Sequence, residues 1–166
     1  MTEERSRVTG ILPCSVVILT AAAGERRDAM TATAFYVCED PPLLSVSVAE
    51  HVLTRDLIDQ AGEFVVNVAT TEQVAMVEQL GSTHGRKVDK LAAFGVTTEP
   101  SESVAAPRVA GCYASLECRV TASQKVAGYR VYTAEVVAHS VAEGRSPLLW
   151  HQGRFFVLGP RVERGS

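Results

Sequence analysis

Several features that would narrow the function at once are missing from this chain. Its cysteines, Cys14, Cys38, Cys112 and Cys118, show no Cys-x-x-Cys spacing, and His51, His84, His139 and His151 are scattered. Zinc requires Cys or His clustered at ligand spacing, so no zinc site is expected. Cys112 and Cys118 lie too far apart on one predicted strand to bridge, and buried free thiols within strands are the expectation for all four cysteines. There is no run of Lys or Arg, and the formal net charge is −3. Nucleic acid is therefore offered no general electrostatic attraction. No G-x-G-x-x-G follows a strand and no βαβ alternation is present, which argues against a dinucleotide-binding Rossmann fold. Internal repeats, low-complexity tracts and interdomain linkers are also lacking.

Outside residues 11–23, no apolar run is long enough to span a bilayer. That segment follows Arg5 and Arg7 and contains Ala21-Ala22-Ala23, a combination that can imitate a secretory signal. Glu3 and Glu4 dilute the positive start, Pro13 interrupts the run, and Val16-Val17-Ile18-Leu19-Thr20 is a strong strand former. The segment reads as a buried first strand, and the expected location is cytoplasmic with no membrane partner.

What remains is an ordinary globular balance: 166 residues, 46% hydrophobic and 21% charged. It suits a single domain over residues 1–166, with a core spanning about residues 8–160. Hydrophobic periodicity predicts strands at residues 15–20, 30–37, 43–49, 63–69, 114–123, 129–141 and 154–158. Gly24 with Glu25-Arg26-Arg27-Asp28 should turn between the first two strands, Gly128 between the two long ones, and Gln152-Gly153 at a final hairpin. Short helices are expected at residues 54–60, 72–80 and 89–94, the apolar faces of the first two covering the openings of a barrel. Gly62, Gly81 and Gly95 act as stops, a capping box links Thr70 to Gln73, and Asp89 is an N-cap. An antiparallel barrel fits this strand count.

The most informative stretch is Met30-Thr31-Ala32-Thr33-Ala34-Phe35, followed by Asp40-Pro41-Pro42 and Leu43-Leu44-Ser45-Val46-Ser47-Val48. It reads as a strand, a Pro-Pro turn and a second strand. Thr31 with Thr33, and Ser45 with Ser47, recur at two-residue spacing, so each pair shares a face. Such hydroxyls usually decorate a half-exposed strand; they can equally meet a flat ligand.

These blocks resemble the flavin reductase-like family of FMN-binding split barrels. The similarity continues through Thr54-Arg55-Asp56-Leu57-Ile58, Gly62-Glu63-Phe64-Val65-Val66-Asn67-Val68, Leu116-Glu117-Cys118-Arg119 and His151-Gln152-Gly153-Arg154. Gly85-Arg86-Lys87-Val88-Asp89-Lys90 and Leu12-Pro13-Cys14-Ser15-Val16-Val17 look most like the flavoredoxin-like branch. The resemblance implies a mainly β fold, a six-stranded antiparallel Greek-key split β-barrel with peripheral helices, usually a homodimer with flavin near the subunit interface. It implies FMN, with FAD as the other candidate, and NADH or NADPH as co-substrate. The activity implied is NAD(P)H-dependent flavin reduction by hydride transfer to N5, supplying a monooxygenase or another redox partner. An FMN electron-transfer protein is the alternative, and a barrel repurposed for another ligand such as haem, with His51 or His84 as ligands, a weaker one.

Residue by residue, the resemblance places the ring beside Met30, Thr31, Ala32 and Thr33 and beside Ser47, Val48 and Ala49. Thr54, at a predicted helix N-terminus with Arg55 beside it, is either a simple N-cap or a phosphate ligand. The cluster around His84-Gly85-Arg86-Lys87 is either a solvated loop or the flavin-contacting loop, which makes Arg86, Lys87, Asp89 and Lys90 binding candidates. His151 is either a surface residue beside Trp150 or a neighbour of nicotinamide. Glu117 and Glu135 are expected to face solvent or pair with Arg119 or Arg130, not to act as acids. Two departures from the family pattern, Asp28-Ala29 before the Met-Thr-Ala block and Tyr36-Val37-Cys38-Glu39 after it, bear on the nicotinamide pocket.

Overall fold

The computed structural model describes residues 8–163. In chain order it contains β1 (Cys14–Ala23), β2 (Arg26–Cys38), β3 (Leu43–Ala49), α1 (Leu53–Ala61), β4 (Glu63–Val68) and a 3-10 turn (Thr71–Gln73). These are followed by α2 (Val74–Ser82), α3 (Lys90–Ala93), β5 (Thr98–Glu99), β6 (Arg108–Val109), β7 (Ala114–Val126), β8 (Tyr129–Val141), β9 (Leu149–His151) and β10 (Arg154–Phe156). Six strands run β1-β2-β3-β8-β7-β4 and close on themselves through β1–β4 pairing. Every pairing is antiparallel. The order β4-β1-β2-β3 is a Greek key, so the six-stranded barrel that the family resemblance implies is the observed one.

Side-chain alternation decides which residues fill it. On β3, Leu44, Val46 and Val48 point inward and join Val17, Leu19, Phe64, Val66 and Tyr132 in the interior. Helix α1 plugs the barrel with Leu53, Leu57 and Ile58, and ends where Gly62 adopts φ +71° and donates its N–H to Ile58 O at 2.8 Å. Strand β1 is apolar on both faces because a second core covers its outer side: Val16 and Ile18 pack with Ala29, Val77, Leu80 and Leu91. Helix α2 thus lies against the outer wall of β1 and β2, with Leu91 of α3 in the same outer core, and covers no opening of the barrel.

Several expectations need correction. The β1–β2 turn is confined to Gly24-Glu25, and Arg26–Asp28 already pair with β1. The Thr70–Gln73 capping box exists, but it closes the 3-10 turn before α2, and Gly81 lies inside the helix. Strand β7 runs on to Val126, the expected hairpin at Gln152-Gly153 is the β9–β10 pair, and the β5–β6 pair is an addition to the expected strands. Cys112 lies outside any strand, though it is buried like Cys118, and burial pushes these free thiols up to about 11 and about 12 respectively. Glu117 does not face solvent: it is 1% exposed and accepts backbone N–H donation from Glu102 and Ser103. It anchors the loop that covers β7. Among the described residues, no helix is long and apolar enough to cross a membrane.

Candidate functional site

The barrel splits at one place. The β2–β3 ladder runs from Cys38↔Leu43 to Ala34↔Val46 and stops. Beyond it, Met30 to Thr33 pair with β1 alone, while Ser47 to Ala49 pair with β8 alone. Each strand therefore presents one edge with no strand beside it, and alternate residues on that edge have backbone N–H and C=O groups without ladder partners. A cavity of about 890 Å³ opens there, within the size of small-ligand sites.

Its walls come from five places. Met30, Thr31, Ala32, Thr33, Ser47 and Ala49 form the strand edges. Val77, Leu80 and Gly81 of α2 form an apolar side, with Val16, Trp150 and Phe155 continuing it. His51, Val52 and Leu53 lead into α1, and Thr83 to Lys87 with Lys90 form the opposite rim. Thr31 and Thr33 lie opposite Ile18 and Val16 in register, hence on the outer face. The Thr31 hydroxyl is already committed, donating to Val77 O, which fastens α2 to the wall. At Gly81 an added Cβ would sit 3.4 Å from Thr31 Cβ, within ordinary van der Waals contact, so helix and strand are closely apposed there.

One end of the cavity is cationic. Arg86 donates from Nε to His51 O at 2.9 Å and pairs with Asp56. Lys87 is exposed, and its ammonium has no ion-pair partner among the described residues. His51 and His84 meet edge-on with centroids 6.1 Å apart. Lys90 is 3% exposed and pairs with Asp28, itself 2% exposed, at 3.1 Å.

The structure gathers most of the sequence candidates around one space: Met30, Thr31, Ala32, Thr33, Ser47, Ala49, Arg86, Lys87 and Lys90 all line it. Others lie elsewhere. Val48 points into the barrel, fully buried. Thr54 is neither N-cap nor cavity wall: Val52 is the N-cap position, and the Thr54 hydroxyl donates to Asp28 Oδ2 at 2.6 Å. Arg55 is held by Glu50 O, Asp56 and Asp59, not free for a ligand. Asp89 caps α3 by accepting from Ala92 N and pairs with Arg27. His151 contacts Phe156 at 6.0 Å, while its neighbour Trp150 reaches the cavity. Trp150 and Phe155 are opposite each other in the β9–β10 hairpin; alternation across the Gln152-Gly153 turn is the signal that would have found them. Val77, Leu80 and Tyr129 carry no such local signal.

Residues 9–159 match the flavin reductase like domain family, and the chain belongs to it. The NADH-dependent FMN reductase AsuE2 of Streptomyces nodosus subsp. asukaensis is 30% identical over 160 residues, covering 93% of this chain and 84% of that one. A reductase component of Rhodococcus opacus, that of 4-nitrophenol 4-monooxygenase/4-nitrocatechol 2-monooxygenase, is 29% identical over 153 residues, covering 92% and 78%. The chain spans about half, 55%, of an uncharacterised Archaeoglobus fulgidus protein, 33% identical over 97 residues that make up 58% of this chain. Among solved structures, the NADH:FAD oxidoreductase SgcE6 of Streptomyces globisporus C-1027 superposes with a TM-score of 0.85 at 25% identity, covering 96% of each chain. A flavoredoxin of Methanosarcina acetivorans shares the fold, with a TM-score of 0.84 at 24% identity over 93% of this chain and 90% of that one.

Proposed function

We propose that this protein is a flavin-binding oxidoreductase that reduces FMN, or FAD as the other candidate, with NADH or NADPH as hydride donor. Reduced flavin then passes to a monooxygenase or another acceptor; the Rhodococcus relative is named as the reductase component of a monooxygenase. The observation that carries this reading is the split between β2 and β3, which sets two bare strand edges and small side chains beside a cationic loop. The donor set fits a flavin: peptide groups for the ring's polar edge, Arg86 and Lys87 for a phosphate, and an apolar side formed by Val77, Leu80 and Trp150.

Flavin, when bound, supplies the two-electron chemistry, accepting hydride at N5. The chain's part is to hold and to orient. Backbone N–H dipoles fixed along residues 30–33 favour negative charge on the ring edge they face, and no reorganisation is needed when it develops. Lys87 supplies the uncommitted cation, and Arg86, aligned by His51 O and Asp56, a second. Trp150 and Phe155 keep one side of the cavity apolar. The nicotinamide would bind transiently, since the sequence holds no dinucleotide motif.

Mixing the protein anaerobically with FMN and then NADH or NADPH should bleach the flavin absorbance at the rate of steady-state turnover. Absence of bleaching with both donors would remove the reductase assignment; a protein that retains FMN but is reduced only through a partner protein would instead be an electron carrier.

Assembly as a homodimer belongs to the same proposal. Phe35, Tyr36 and Val37 at the end of β2 are 51%, 72% and 53% exposed, a run of apolar side chains that solvent does not favour. Sedimentation equilibrium should return twice the 17.8 kDa chain mass. A Tyr36→Glu variant should shift the species toward a monomer; an unaltered assembly would place the contact elsewhere.

A further inference from the structure

Three segments distant in sequence converge on one buried carboxylate. Asp28, on β2 just before the cavity wall, receives the Thr54 hydroxyl from the first turn of α1 on Oδ2 at 2.6 Å. Its Oδ1 takes the Lys90 ammonium at 3.1 Å, from the start of α3. Gly85 closes against the same group so tightly that an added Cβ would stand 2.3 Å from Oδ1. Both carboxylate oxygens are thus committed, and the Lys90 ammonium, 3% exposed, is turned to Asp28 although the residue borders the cavity. Residues 83–87 have no such enclosure: His84, Arg86 and Lys87 are exposed, and the segment belongs to no strand or helix. Its other ties are Arg86 to His51 O and Asp56, and Arg27 to Asp89 nearby.

We propose that Asp28 and Lys90 are positioning residues: their ion pair latches the 83–90 segment to the barrel and so fixes Lys87 and Arg86 where they favour a flavin bearing a phosphate over one without. This rests on reading the cavity as a flavin site. A carboxylate–ammonium pair removed from solvent resists opening because each charge would be left unmatched. The latch therefore acts through the loop, the charges of Asp28 and Lys90 being spent on each other. It also explains the glycine at 85, since any side chain there would displace Asp28 from Lys90. A phosphate held by ordered cations loses much of its grip when they become mobile, because the ordering must then occur on binding.

The test is the Asp28→Asn/Lys90→Met double variant, which removes both charges and leaves the net charge unchanged. FMN and riboflavin affinities are measured by flavin fluorescence, together with amide hydrogen exchange in flavin-free protein. FMN should weaken by roughly tenfold while riboflavin stays within about twofold, and amides of 83–90 should exchange faster with the barrel strands unaltered. Thr54→Val, which keeps the ion pair and removes one donor, should give the same pattern in smaller measure if the double variant does not fold. Equal loss of FMN and riboflavin, or unchanged exchange across 83–90, would overturn the latch. Wild-type protein that takes up neither flavin would overturn the flavin reading and the phosphate selection with it; the exchange measurement, which needs no ligand, still decides the latch.

Discussion

Replacing Asn67 with alanine should lower stability by about 4 kcal/mol and the melting temperature by roughly 8–16 °C. Asn67 sits on β4 opposite Ile18, on the seam where β1 and β4 close the barrel. Fully buried, it donates from Nδ2 to Ile18 O at 2.9 Å and to Thr20 Oγ1 at 3.2 Å. Its Oδ1 accepts from Val109 N at 2.8 Å and Ser115 Oγ at 2.9 Å. One side chain therefore ties β1, β6 and β7 to β4. Alanine leaves the Val109 N–H without its acceptor and two hydroxyls short of a partner, and opens a small void. Each unmet buried group costs about 1–3 kcal/mol, and hydroxyls that reorient return part of it. Thermal unfolding followed by circular dichroism checks the figure. A shift below about 3 °C would mean that the seam is held by its ladder alone.

Thr33→Trp should abolish flavin uptake with little effect on folding. Thr33 lies on the outer face of β2, opposite Val16 and half-buried against the cavity, so the indole enters the binding space and not the barrel interior. Tryptophan suits a strand surface and adds a side chain that buries about 150–250 Å². Filling the space between the strand edges and α2 should weaken FMN at least about 100-fold, a loss of roughly 2.7 kcal/mol. A titration of the variant with FMN, beside a melting curve within about 2 °C of the parent, is the measurement. Undiminished affinity would move the ligand away from the β2–β3 split.

Where local patterning decides, the sequence was legible. Strand β3 was placed at its observed limits because Leu44, Val46 and Val48 alternate with serines, and β8 because Gly128 and the apolar alternation bound it. That Thr31 and Thr33 share a face follows from the same two-residue period, while their place beside a ligand is implied only by the family resemblance. Legibility failed where packing decides. Thr54 has the sequence look of a cap, but a buried acceptor on β2, Asp28, draws its hydroxyl away from the helix end. Glu117 looks like a surface charge until the 97–110 connection folds over it and gives it backbone N–H groups. His151 and Trp150 are chain neighbours on a strand, so only one can face the cavity. The hairpin at Gln152-Gly153 pairs Trp150 with Phe155, and the long-range pairing of Trp150 with Cys14, which no local motif announces, selects the indole. The α2 residues reach the site because the helix packs on the outer wall; its apolar stripe alone was equally compatible with a barrel end.

The stretch from Met30 to Ala34 serves two masters by parity. Even-numbered side chains there, Met30, Ala32 and Ala34, pack toward the interior, while the odd-numbered Thr31 and Thr33 face outward to the cleft. An exchange at Thr33 re-tailors what is held without re-laying the inside, whereas Thr31 also holds α2 through its hydroxyl and the even positions carry the barrel packing. Recognition can thus drift in this protein while its frame stays put.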